Sequence, residues 1–141
     1  MWYSDVRTLQ LDASVVNLNG IFLTPADLNL VAGTSDIIIG ENGKLEVTNG
    51  TDAVDFNNVT FDQPSGTALF SIRGKAVSFN QIDVKSNANF LYEAFDAEIL
   101  ILNQGKTYKF TEGEIYNIGD ITANGACEGT IDISTLSAGD N

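Results

Sequence analysis

The sequence predicts an all-β chain wound as a right-handed parallel β-helix (a β-solenoid) with coils of about 23 residues. Three observations predict it. Short β-branched and aromatic runs follow one another along the 141 residues, Gly-containing dipeptides punctuate them, and a unit of fixed length recurs from residue 54 to residue 122.

The runs come in order as TLQL (8–11), SVVNLN (14–19), LNLV (28–31), DIII (36–39), KLEV (44–47), VDFNNVTF (54–61), ALFSI (68–72), AEILIL (97–102) and KTYKF (106–110). NG, AG, EG and SG pairs break them, as turns between strands require. No stretch holds apolar residues at helical spacing over three turns, so no helix is expected.

The repeat chooses between a solenoid and an antiparallel sandwich. Residues 54–76, 77–99 and 100–122 can be laid over one another. Val54, Val77 and Leu100 then coincide, as do Phe56, Phe79 and Leu102, then Asn57, Asn80 and Asn103, then Asn58, Gln81 and Gln104, and later Ile72, Phe95 and Ile118. Opposite charges also fall one unit apart: Asp52 and Lys75, Asp62 and Lys85, Arg73 and Asp96, Lys75 and Glu98, Asp83 and Lys106. Neighbouring strands favour such pairs. They are expected on outer faces, where each contributes about 0–1 kcal/mol.

Within VDFNNVTF, Val54 and Phe56 share one side by period two, and so do Val59 and Phe61. The odd step between the pairs requires a corner at Asn57 and Asn58. Asn tolerates the left-handed conformation of a tight corner, and a column of Asn57, Asn80 and Asn103 could hydrogen-bond from coil to coil as a structural ladder.

A single domain is expected over residues 1–141: an irregular or capping segment at 1–30, stacked coils at 31–122 and a terminal segment at 123–141. Upstream of 54 the apolar columns persist at Val31, Leu45 and Val47, but the Asn column does not. Trp2 and Tyr3 are expected to cover the open edge of the first coil, which would otherwise invite strand pairing. The final stretch leaves the 23-residue frame without an evident cap, which points to continuation in a longer parent or to end-to-end self-association.

Composition excludes several functions. Seven Lys and Arg against nineteen Asp and Glu give a net charge of −12, which repels nucleic acid and anionic membranes. No apolar run approaches the roughly 18 residues that cross a bilayer, and MWYSDVRTLQ lacks a signal-peptide layout. The chain has no His, which excludes serine-hydrolase triads and His-based zinc sites; its single Cys, Cys127, excludes an internal disulfide.

GENGKLEVTNG (40–50), FNNVTF (56–61) and SFNQIDV (78–84), followed by TANGACEGTIDIS (122–134), resemble the β-helical repeat segments of large secreted or cell-surface adhesin-like proteins of Bacteroidetes-type bacteria. In those, runs such as NGGTLTVNNG give way to an ANGTC-like motif before the next module. The likeness spans residues 28–135. It implies an extracellular stalk or adhesin module, secreted or held at the cell surface.

Three chemistries are weighed against that expectation. β-Helix folds also host polysaccharide lyases, but Arg73, Lys75, Lys85 and Lys106 each have an acid one unit away and read as ladder pairs. A glycoside hydrolase needs two carboxylates about 5–9.5 Å apart. Asp96 and Glu98 alternate on one strand and could supply them. Calcium is the one candidate ion, since Asp and Asn oxygens are hard ligands, but no DxDxDG loop occurs. Tyr92, Tyr108 and Tyr116 are the candidate glycan-facing aromatics, with a core or ladder role as the alternative. The expectation is therefore a non-catalytic structural or adhesive segment, with no catalytic residue and no cofactor; the alternative is a carbohydrate-binding or polysaccharide-degrading domain. Its partner would be a glycan or another protein surface.

Overall fold

The computed structural model describes residues 7–25, 27–48, 52–63, 65–125 and 129–137. Their strands stack as a parallel β-solenoid of about six turns, and no helix occurs among them. Trp2, Tyr3 and Cys127 lie outside the described residues.

The strands, in order, are β1 (Arg7–Gln10), β2 (Val15–Leu18), β3 (Ile21–Thr24), β4 (Leu28–Val31), β5 (Asp36–Ile39), β6 (Lys44–Val47), β7 (Val54–Phe61), β8 (Thr67–Ile72), β9 (Val77–Val84), β10 (Asn87–Tyr92), β11 (Asp96–Asn103), β12 (Thr107–Thr111), β13 (Asn117–Asn124) and β14 (Asp132–Leu136). Three faces result. β1 and β4 open the first face; the second runs β2-β5-β7-β9-β11-β13 and the third β3-β6-β8-β10-β12-β14. From β7 onward one eight-residue strand spans the first and second faces: β5 pairs only with its later half, Asn58 to Phe61. The bend falls at Asn57–Asn58, where the ladder between β7 and β9 is interrupted.

The corner is therefore where the odd step placed it, but its backbone is not left-handed. The non-glycine residues with positive φ are Asp12, Asn42 and Tyr92, among those described. Asn57 instead donates its amide to the Ser35 carbonyl at 3.1 Å, securing the bend to the coil before it.

The coils are about 21 residues apart rather than 23, and they vary. Val54 sits beside Val77, a step of 23, but Phe79 sits beside Ala97, a step of 18. The strands keep their length while the turns change: residues 62–66 follow β7, but only 85–86 follow β9. Register is fixed by the inward residues of each face, so the corners absorb the difference.

This corrects the third unit of the repeat. Inward positions run Val54, Phe56, Val59, Phe61 in β7 and Val77, Phe79, Ile82, Val84 in β9. In the next coil they are Phe95, Ala97, Leu100 and Leu102. Leu100 lies beside Ile82 and Leu102 beside Val84, not beside Val77 and Phe79. Each long strand repeats its own apolar-x-apolar motif five residues on, which let the later half of β11 match the earlier half of β9. Asn103 consequently leaves the ladder. It falls at the corner after the second face, donating its amide to Asp83 Oδ1 and to the Val84 carbonyl, both at 3.0 Å.

The charge pairs change with the register. Lys85 and Asp62 meet at 3.9 Å, both well exposed. Arg73 lies over the Tyr92 ring, 3.8 Å from its centroid, while Asp96 sits beside Ser78 and Asp83 beside Ile101. Lys75 is buried, its ammonium 3.5 Å from the Pro25 carbonyl. The stack also begins earlier than residue 31, because β1 to β3 already pair with β4 to β6. It continues past 122 through β14.

A run of aromatic rings fills the interior. Phe61, Phe70, Phe90 and Phe110 succeed one another at centroid distances of 4.1, 4.5 and 4.5 Å. Phe56 and Phe79 stack at 5.1 Å, and Phe95 bridges the two rows. Each buried ring removes about 150–250 Å² from water, so these columns dominate the core.

Candidate functional site

The pleat that sends Phe56, Phe79, Ala97 and Ile118 inward turns their neighbours outward on the first face. Asp55, Ser78, Asp96 and Asn117 form one outward column, in direct register. Two residues on, all three ladders are interrupted; there Asn80 and Glu98 are exposed, and Gly119 lies against the Glu98 carbonyl. Within a column successive residues lie about 4.8 Å apart.

The registered column is polar throughout. The second face by contrast turns Ile38, Ile99 and Ile101 outward, and the third Leu69 and Leu91. Side chains of the first face bond along the axis. Ser78 donates its hydroxyl to Asp55 Oδ1, and Asn117 its amide to Asp96 Oδ1 at 2.8 Å. At the corner Asn80 donates to Asn58 Oδ1 at 3.0 Å, and Asn58 to Asp36 Oδ1 at 2.8 Å. The amides of Asn57 and Asn80 bond to neighbours in the preceding coil, Ser35 and Asn58, rather than to each other.

A shallow groove of about 790 Å³ opens on this face. Ser78, Asn80, Asp96, Glu98 and Asn117 line it with polar groups, and Phe56, Phe79 and Tyr116 bring aromatic rings to it, Tyr116 the one that carries a hydroxyl. Gly119 completes the surface: a Cβ there would lie 2.8 Å from the Glu98 carbonyl oxygen, so a side chain would force the β11 and β13 backbones apart. Tyr116 is half-buried. Its ring packs edge-on against Phe95 at 5.1 Å and Phe110 at 5.0 Å, and its hydroxyl accepts from the Thr111 N–H at 3.3 Å. Burial pushes its phenol above the usual range, only partly offset by that hydrogen bond.

The three tyrosines therefore separate. Tyr108 is fully buried, donating its hydroxyl to the Val84 carbonyl at 2.8 Å and accepting from the Asn103 N–H at 2.8 Å; it faces no ligand. Tyr108 alternates with Phe110 on the inner side of β12, a period the sequence already contained. Tyr92 ends β10 with φ 73° under the Arg73 guanidinium. Tyr116 alone joins the groove, beside Asp96 and Glu98. Ser78, Asn117 and Gly119 are groove residues that the fixed 23-residue register hid.

Asp96 and Glu98 are both exposed, on the same outward side of β11. The Cα atoms of residues two apart on a strand are separated by about 6–7 Å, so the two carboxylates share one outward side at neighbouring positions. Among the described residues no group of three or more His, Cys, Asp or Glu side chains is placed to hold a metal ion. The lining thus combines carboxylates, amides and hydroxyls with aromatic rings, suited to accepting and donating hydrogen bonds with an uncharged, hydroxyl-rich ligand. Compared with known proteins, the chain matches no family model, no curated protein and no solved structure.

Proposed function

We propose that this chain is a non-catalytic adhesive segment of a secreted or cell-surface protein: a stiff shaft whose first face binds a neutral glycan in the groove beside Tyr116. The observation that carries this reading is the contrast between faces. On the first face Asp55, Ser78, Asp96 and Asn117 stand in direct register on four successive coils, and this polar column borders a groove that takes in the Tyr116 ring. Glycan hydroxyls bond to carboxylates and amides, while their C–H faces pack on Tyr. The resemblance of residues 28–135 to adhesin-like repeat segments supports the extracellular setting.

A glycosidase is the second reading, favoured by the shared orientation of Asp96 and Glu98. Against it stands their exposure on an open face, where nothing shuts water out around a reacting bond. A glycan array with wild type and Tyr116→Ala, followed by a polysaccharide-degradation assay, decides between them. Binding without turnover, weakened at least tenfold by Tyr116→Ala, is the expected result. Turnover abolished by Asp96→Asn or Glu98→Gln would replace the adhesive reading with the hydrolytic one, and no binding to any glycan would remove both.

A further inference from the structure

The groove does not end at β7. A second opening of about 300 Å³ lies on the same face, and Phe56 lines both. Together they are bordered by three consecutive residues on each of four strands, 55–57, 78–80, 96–98 and 117–119, and by residues 30–33 where β4 ends. The channel is two residue steps wide, about 7 Å, and five strands long, about 20 Å. Its long dimension therefore runs along the solenoid axis.

At the far end the first face has a break. Among the described residues β4 pairs with β1 alone, β5 meets β7 only from Asn58 onward, and no backbone hydrogen bond joins residues 28–33 to residues 54–57. Successive residues of a strand turn their N–H and C=O groups to opposite sides. The Val31 carbonyl accepts from the Leu11 N–H on the β1 side, so the main-chain groups of Leu30 turn toward β7. The Val54 N–H bonds to the Ala76 carbonyl on the β9 side, so those of Asp55 turn toward β4. Two backbone edges thus face each other across the second opening, which both residues line. Main-chain groups in a cleft need partners, and a ligand that fills it can supply them.

We infer that this break is the far end of the same binding site, and that the ligand is a linear, neutral glycan lying along the axis over about five sugars, one per strand of the channel. The inference rests on the glycan reading. A polar column that repeats from coil to coil matches a ligand that repeats too, and an extended pyranose chain advances by nearly one coil spacing per sugar. The channel is wide enough for a single such chain. The groups of Leu30 and Asp55 that face the break donate and accept without charge, which suits hydroxyls. An anionic chain would instead set its charges against Asp55, Asp96 and Glu98.

The test is an NMR titration of the isotope-labelled chain with cello-, manno- and xylo-oligosaccharides, from disaccharide to hexasaccharide. In a series that binds, affinity should rise at least tenfold from the disaccharide to the pentasaccharide. The pentasaccharide should shift the amide signals of Ala32 and Gly33 together with those of Ile118 and Gly119; the disaccharide, held at Tyr116, should shift only the latter pair. Val31 lines the break from an exposed position of β4, and Val31→Phe fills the space with a residue that strands accept. It should return the pentasaccharide to the affinity of the trisaccharide and leave the disaccharide unchanged, whereas Tyr116→Ala should weaken both. Disaccharide binding that depends on Tyr116 but gains nothing with length overturns the inference and spares the glycan reading. So does a gain with length that Val31→Phe leaves intact. No binding of any series overturns both.

Discussion

The middle coils, residues 54–111, and the coils at either end use the same alternation and reach different results. In the middle, inward residues such as Phe70, Phe90 and Leu102 are at most 1% exposed, closed in by a coil on each side. In β13 the inward Ile121 stays half open, and β1 is exposed along its length. A solenoid coil cannot bury its own apolar edge, so its stability comes from neighbours. The difference teaches that position along the axis, rather than hydrophobicity, decides what a residue contributes.

The largest effect should come from breaking that contrast at Phe90. Its ring meets Phe70 at 4.5 Å, Phe110 at 4.5 Å and Phe95 at 5.3 Å. Phe90→Ala should cost about 3–5 kcal/mol, because three rings lose a partner and the coils cannot close the gap without shifting register. Ile133→Ala, on an inward position of the last coil, should change stability by less than about 0.5 kcal/mol in the monomer. Urea unfolding of both variants checks the ratio; comparable losses would mean that the last coil is covered after all.

A smaller effect sharpens the comparison from within the middle. Tyr108 is the polar-tipped member of the aromatic core, and Tyr108→Phe leaves the Val84 carbonyl and the Asn103 N–H short of a partner, costing about 1–3 kcal/mol. The same hydroxyl gives a pH signature. Burial raises the Tyr108 phenol above its ordinary value, outweighing the hydrogen bond from Asn103 that lowers it, and Tyr116 shifts the same way. A folded-state pKa above the unfolded one means that the folded state holds its proton longer. The stabilisation is therefore complete below about pH 10, the unfolded tyrosine value, and is lost as pH rises through the folded pKa. Unfolding midpoints should fall above about pH 10, less steeply in Tyr108→Phe, and tyrosinate absorbance should appear late in the wild type.

The fold was legible because period-two alternation and Gly-marked turns are local signals, and so was the first corner, from one odd step between Phe56 and Val59. The site was less so. Its polar column depends on which coil residue lies beside which, and that is set by turn lengths that no local pattern encodes. The five-residue self-similarity of the long strands made a slipped register equally apolar. Asp96 and Glu98 were visible as a same-side pair within one strand, whereas Ser78 and Asn117 became their neighbours only through steps of 18 and 21 residues. Lys75 shows the same limit: an acid one repeat away suggested a surface pair, while the folded chain buries it against Pro25.

The smallest effect separates two asparagines that the repeat treats as equivalent. Asn80 is exposed and its amide donates to the Asn58 side chain, which water can replace at little cost, so Asn80→Ala should lose about 0.5 kcal/mol or less. Asn103 is part-buried, its amide bridges Asp83 Oδ1 and the Val84 carbonyl, and its own N–H supplies the Tyr108 hydroxyl. Removing that side chain takes a donor from the corner where β11 leaves the second face, and Asn103→Ala should cost about 1–2 kcal/mol. The double variant Asn103→Ala with Tyr108→Phe should lose more than the sum, since together they strip the Val84 carbonyl of both side-chain donors. Asn103→Asp retains the shape but replaces the donating amide with a carboxylate facing Asp83, and so should be worse than Ala. Equal losses at positions 80 and 103 would instead favour one stacked column of asparagines and the uniform 23-residue coil, against the register described for β9 and β11.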